Sequence, residues 1–159
     1  MERQRAGIEL TGQPLGFSDL VRIGAGVALP SASETGMARV RIARGILESA
    51  IQSGMPVYGS TTGVGAMKDV EWSPEDLDAF NLGLVRAHHF GTGAPFSMSV
   101  VRNAMAIRVN TALTGQVGCS QELIQAYLQL LSADVIPVVR RTGSIGCADI
   151  GLMGQIGAV

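Results

Sequence analysis

Three stretches of this 159-residue sequence hold side chains able to do chemistry. Tyr58 lies in Val57-Tyr58-Gly59-Ser60-Thr61-Thr62-Gly63-Val64-Gly65, where three glycines in nine residues open the backbone to close approach. A phenol there can serve as general acid or base if its surroundings move it from an ordinary value of about 10. The plainer alternative is a half-buried tyrosine whose hydroxyl bonds a neighbour, and residue type alone favours it. His88 follows Leu77, Asn81 and Leu84 at helical spacing and so turns inward, while His89 points about 100° away around the wheel. Adjacent histidines cannot face one metal, since a chelating pair on a helix needs i, i+4 spacing, and no metal site is expected. For His88 the plain alternative is a core histidine satisfied by a backbone carbonyl. The third stretch is Gly143-Ser144-Ile145-Gly146-Cys147-Ala148-Asp149. It lacks the GK[ST] ending of a P-loop and the full GxGxxG of a dinucleotide fold, and no strong βαβ unit surrounds it. Cys119 and Cys147 have no CxxC spacing and read as small apolar residues, and no basic partner marks Cys147 as a nucleophile.

The elements that must position these residues are mostly helices. Residues 7–10 read as a short strand, and Ser18 offers an N-cap to a short helix that ends near Gly24 or Gly26. Ser31 and Glu34 have capping-box spacing ahead of an apolar stripe of Met37, Val40, Ala43, Leu47 and Ile51, which Gly54 and Pro56 stop. The stretch 57–65 is too broken for a helix and reads as a shaped loop. Ser73-Pro74-Glu75-Asp76 starts the helix that carries His88, with a break at Gly91 and Gly93. A third helix begins after Ser97 or Ser99 and runs to about Thr114. A fourth spans 120 to about 134, with Leu123, Tyr127 and Leu130 inward. Val135-Ile136-Pro137-Val138-Val139 is extended, because Pro137 forbids a helix and the β-branched residues favour a strand. The apolar run 151–159 has no cap and reads as an interrupted element.

Composition narrows the classes of partner. An apolar share of 47%, with 12 basic and 13 acidic residues, argues for one folded domain able to bury roughly 70% of its unfolded surface. A net charge of −1 gives no clustered basic field for nucleic acid or an anionic membrane. No run of about 18 apolar residues and no secretory leader is visible, so a cytoplasmic location is expected.

The order of the pieces carries more than any one of them. Val57-Tyr58-Gly59 to Gly63-Val64-Gly65, Asn81-Leu82 to Val85-Arg86-Ala87-His88, Arg108-Val109-Asn110, Pro137-Val138-Val139 and Gly143-Ser144-Ile145-Gly146 together resemble the histidine and aromatic amino acid ammonia-lyase family. The resemblance runs from about residue 8 to the end. It implies a mainly α protein, the amino-terminal part of the fumarase/aspartase-like ammonia-lyase fold with a few short strands. It further implies a homotetramer with active sites built from more than one subunit. Such enzymes expel ammonia from histidine, phenylalanine or tyrosine to leave an α,β-unsaturated acid. Their electrophile is a methylidene-imidazolone made from an internal Ala-Ser-Gly. By this resemblance Tyr58 is the base for the β-proton and His88 helps select a small amino-acid-like substrate.

The sequence departs from the family pattern where the electrophile should form. After Gly146 come Cys147, Ala148 and Asp149, so alanine stands in place of the serine whose hydroxyl is lost. No methylidene-imidazolone is therefore expected. Thr61 also replaces the asparagine of the family's Tyr-Gly-x-Asn-Thr-Gly loop. The family chain is roughly three times as long, so residues 1–159 read as an amino-terminal lyase domain ahead of a long helical bundle. Three readings stand at this point. The first is a lyase that works without the usual electrophile, as relatives that expel trimethylamine from ergothioneine do. The second is a truncated, inactive homologue serving as an interaction or assembly module. The third is a conventional ammonia-lyase with a sequence error at 147–149. Tyr58 and His88 are expected to lie within reach of one cavity, and the apolar content with the apolar ending predicts a chain that is poorly soluble or oligomeric.

Overall fold

The computed structural model describes residues 5–73, 75–144, 146 and 150–159. Six α-helices and four short strands are present among the described residues. The chain divides into two compact units, each assembled from separate stretches of sequence: Met1–Gly45 with Phe96–Val138, and Ile46–Pro95 with Val139–Val159.

In the first unit β1 (Ala6–Leu10) pairs in parallel with β2 (Ala28–Ala32), and α1 (Phe17–Gly24) connects them. Ile8 and Leu10 alternate inward along β1, as a pleated strand with one buried face requires. α2 (Glu34–Gln52) starts beside β2, and its first two turns bury Met37 and Val40. α4 (Met98–Thr111) buries Val101, Met105 and Val109, and α5 (Gln121–Ser132) buries Ile124 and Leu131. Two buried polar side chains hold the ends of these elements. Asn110 accepts the Gly12 amide at 2.9 Å and donates to the Gln13 carbonyl at 2.8 Å. Arg102 pairs with Asp134 and also donates to the Gly24 carbonyl at 3.5 Å.

The second unit contains the last turns of α2, the loop that follows, α3 (Leu77–Ala87), β3 (Thr92–Pro95), β4 (Arg140–Thr142) and α6 (Ile150–Gly157). α2 ends in a Schellman arrangement: the Met55 amide donates to the Ala50 carbonyl and the Gly54 amide to that of Ile51, both at 3.0 Å. Gly54 takes the left-handed conformation this requires, with φ +70°. β3 and β4 pair antiparallel.

Several sequence expectations change in the structure. α1 starts at Phe17 after Gly16, with no side-chain cap, and Ser18 lies inside it. Ser33, not Ser31, faces the start of α2, where its hydroxyl accepts the Gly36 amide at 3.1 Å; Ser31 lies in β2. α3 begins at Leu77 instead of beside Ser73, and it ends at Ala87 before either glycine. In α5 the inward face is set by Ile124 and Leu131, and Leu123 is exposed, one step out of phase with the expected stripe. Residues 135–139 form no ladder among the described residues, and the strand begins at Arg140. The caps at Ser97 and Ser120 are found as expected, each hydroxyl accepting an amide three residues on.

Candidate functional site

The loop after α2 is braced from within. The Val57 carbonyl accepts the amides of Ser60 and Thr61 at 3.0 Å and of Thr62 at 3.3 Å, which folds residues 57–62 into stacked turns. Thr61 ties the turn back to the helix end, because its hydroxyl accepts the Val57 amide at 2.8 Å and donates to the Met55 carbonyl at 3.2 Å. The chain then doubles back: the Gly63 amide donates to the Val70 carbonyl, the Trp72 amide donates to Thr61, and Thr62 bridges to Glu71. Gly63 is needed at this crossing, since a Cβ there would sit within contact-forbidden range of the Met67 carbonyl.

This bracing sets the place of Tyr58. Its hydroxyl oxygen accepts the Gly65 amide at 3.1 Å, so the two ends of the glycine-rich segment meet at the phenol. The residue is 66% exposed, which departs from a half-buried tyrosine while keeping the neighbour bond that reading includes. A phenol that is both reachable and fixed at its oxygen can exchange a proton with a bound molecule.

His88 is the C-cap of α3, not an interior position, and it is half-buried. Its Nδ1 lies 2.7 Å from the Leu84 carbonyl oxygen. A carbonyl can only accept, so Nδ1 carries the proton and Nε2 is the acceptor in the neutral ring. Leu77 and Leu84 share the half-buried face, but Asn81 is exposed. His89 is exposed, its amide bonded to the Arg86 carbonyl. Tyr58 and His88 belong to the same compact unit. Trp72, at the end of the doubled loop, stacks on Phe80 of α3 with ring centroids 4.9 Å apart, and so joins the element that carries one to the element that carries the other.

Cys147, Ala148 and Asp149 lie outside the described residues. On their flanks, the Ser144 hydroxyl accepts the Gly146 amide at 3.1 Å. Gln155 of α6 is buried, and its Oε1 accepts the Arg140 amide at 2.7 Å while Nε2 points to the Arg140 and Gly151 carbonyls, each 3.4 Å away. This side chain secures β4 to α6 across residues 143–149, a role the sequence reading did not assign. The signal available was one amide inside an apolar run, which in a buried element must satisfy backbone groups. Cys119 is partly buried, and burial pushes its thiol up, against the pull of its own backbone bond and of Arg108 and Arg44. No group of three or more His, Cys, Asp or Glu residues able to hold a metal occurs among the described residues, and no described helix is long and apolar enough to cross a membrane.

Residues 15–159 match the aromatic amino acid lyase family, and the chain belongs to it. It is 33% identical over 141 residues to histidine ammonia-lyase of Geobacillus thermodenitrificans and 34% identical over 141 residues to that of Bacillus subtilis. Each match covers 89% of this chain and 28% of the relative, so the chain spans well under a third of their length. Among solved structures it is similar to the ergothionase of Treponema denticola in complex with desmethyl-ergothioneine sulfonic acid, with a TM-score of 0.91 and 33% identity over 95% of this chain and 30% of that one. Histidine ammonia-lyase of Trypanosoma cruzi gives a TM-score of 0.82 at 28% identity, over 94% of this chain and 28% of that one. The mainly helical fold is therefore that of the ammonia-lyases.

Proposed function

We propose that this chain is part of a carbon–nitrogen lyase that acts on an imidazole-bearing or aromatic amino acid or betaine, and that it does so without a methylidene-imidazolone. The observation that carries the reading is Tyr58, whose phenol is exposed on the braced loop with its oxygen fixed by the Gly65 amide. In this reaction Tyr58 acts as its phenolate: the oxygen takes the β-proton to become the phenol, the C–H electrons become the Cα–Cβ double bond, and the Cα–N bond breaks with its pair leaving on nitrogen. His88, its Nδ1–H committed to Leu84, offers Nε2 to the ring of the substrate.

The residues at 147–149 do not fit the electrophile of the family. Ala148 has no hydroxyl to lose, and no serine occurs between Ile145 and Leu152. Without that group a primary amine is a poor leaving group, whereas a trimethylammonium departs as neutral trimethylamine. The likeness to an ergothionase supports a betaine of this kind. The family resemblance also supports a homo-oligomer in the cytoplasm, and exposed Phe17, Ile42, Ile46 and Met98 supply apolar surface for assembly.

The test is elimination from ergothioneine and from histidine by the protein that carries this chain. Trimethylamine release that falls by about 100-fold or more in Tyr58→Phe is the expected result. Rapid ammonia release from histidine by a protein verified to carry Ala148 overturns the cofactor-free reading. Activity on neither substrate leaves an inactive homologue that serves as an interaction or assembly module.

A further inference from the structure

α6 lies against the segment that leaves α3, and the fit is closest at one glycine. A Cβ built on Gly154 would meet the His88 carbonyl oxygen and carbon, and would stand 3.1 Å from the His88 Cβ. The first two of those atoms are backbone, so no rotation of a flexible side chain can relieve the clash. Two other glycines of the same helix differ. At Gly151 the nearest atoms are the ring carbons of Phe90, from 2.7 Å, and that partly exposed ring can turn away. At Gly157 the nearest atom is a Val85 methyl at 3.8 Å, an ordinary contact.

His88 has two constraints of its own. Its ring is tied through Nδ1 to Leu84, which fixes the ring relative to α3. Its backbone is the C-cap, where the chain turns from α3 toward β3, and that turn is where α6 presses.

We infer that Gly154 is a positioning residue for His88: the missing side chain lets α6 seat the His88 backbone, and thereby sets where Nε2 is presented. The functional half of this inference rests on the substrate-selecting role proposed for His88, whereas the structural half rests on the geometry alone.

The experiment compares Gly154→Ala with Gly157→Ala in the whole chain. The sequence has two histidines, so a His89→Gln background leaves the His88 imidazole as a single set of resonances. Gly154→Ala is expected to shift those resonances, and Gly157→Ala to leave them in place, whereas Gly151→Ala is no control because the Phe90 ring it displaces lies 6.5 Å from the His88 ring. In the protein active on ergothioneine, Gly154→Ala is expected to lower kcat/KM roughly tenfold more than Gly157→Ala does, because small misplacements of a substrate-contacting group are costly. If Gly154→Ala leaves the resonances unmoved, or moves them no more than Gly157→Ala does, the inference is wrong. Should Gly154→Ala not fold, the unsubstituted chain decides: the inference requires a nuclear Overhauser contact between the Gly154 α-protons and the His88 β-protons, and its absence sinks the idea. Moved resonances with unchanged kcat/KM would keep Gly154 as the seat of His88 and remove His88 from the substrate site, so the two claims fail separately.

Discussion

Asp134 takes a left-handed backbone conformation, φ +61°, just beyond the end of α5. For most residues other than glycine that conformation costs about 1 kcal/mol, and aspartate tolerates it better than most. Its carboxylate pairs with the guanidinium of Arg102, which is buried. Removing the partner of a buried charge is expensive, but the Asp134 side chain is 48% exposed, so water can replace part of what is lost. Asp134→Ala is therefore expected to destabilise by about 2 kcal/mol. Asp134→Gly loses the same ion pair but relieves the backbone, so it is expected to cost about 1 kcal/mol less. Urea unfolding of the two variants checks this, and equal losses would refute the backbone part of the argument. At this scale the sequence was most informative about residue type and least about partners. Tyr58 and His88 stood out because a glycine-rich loop and a helical stripe are local patterns. The amide that meets the Tyr58 oxygen, by contrast, comes from seven residues away, and the Gly12 amide that meets Asn110 comes from 98 residues away. Periodicity carries no information about either.

Helix ends show both the strength and the limit of local reading. Ser97 and Ser120 cap α4 and α5 as their positions suggest, because an N-cap bond spans only three residues. The start of α2 was misplaced by two residues because Ser31 and Ser33 both offer a hydroxyl, and the choice was made by pairing of β2 with β1. The strands themselves were hard to see: β2 contains Pro30, β3 is Thr-Gly-Ala-Pro, and neither has the alternating pattern of a half-buried strand. Capping of α5 also has a pH consequence. The Glu122 carboxyl is held below the usual glutamate range by a bond from its own backbone amide, then by one from the Ser120 hydroxyl, with desolvation opposing and Arg44 adding a smaller attraction. A carboxyl lowered in the folded state adds stability above its unfolded value of about 4.3, and that contribution disappears as pH falls through the lower folded value. Urea midpoints of the unsubstituted chain and Glu122→Gln should thus differ at pH 7 and converge below about pH 4. A gap of the same size at pH 3 would mean that the charge of Glu122 is not what secures this end of the helix.

Each compact unit is built from stretches of chain that are far apart in sequence, with α2 running from the first unit into the second. No linker composition marks such a division, which is why the sequence reads as one domain. The family motifs were legible across nearly the whole chain because each is local, and their order survives whatever the units do. What the motifs imply for chemistry turns on the stretch where the pattern breaks. Formation of the electrophile from Ala-Ser-Gly needs cyclisation and then loss of the serine hydroxyl, and together these remove two waters from the chain. Cys147-Ala148-Asp149 can supply no such hydroxyl. The intact mass of the protein is therefore expected to equal that of its sequence, and the peptide containing Ala148 is expected to carry no deficit. Borohydride, which quenches an electrophilic alkene, should accordingly leave elimination from ergothioneine unchanged. A deficit of two waters on that peptide, or loss of activity on reduction, would place an electrophile in this protein despite Ala148. Unchanged mass together with trimethylamine release would leave departure of a neutral amine as the step that replaces electrophilic activation.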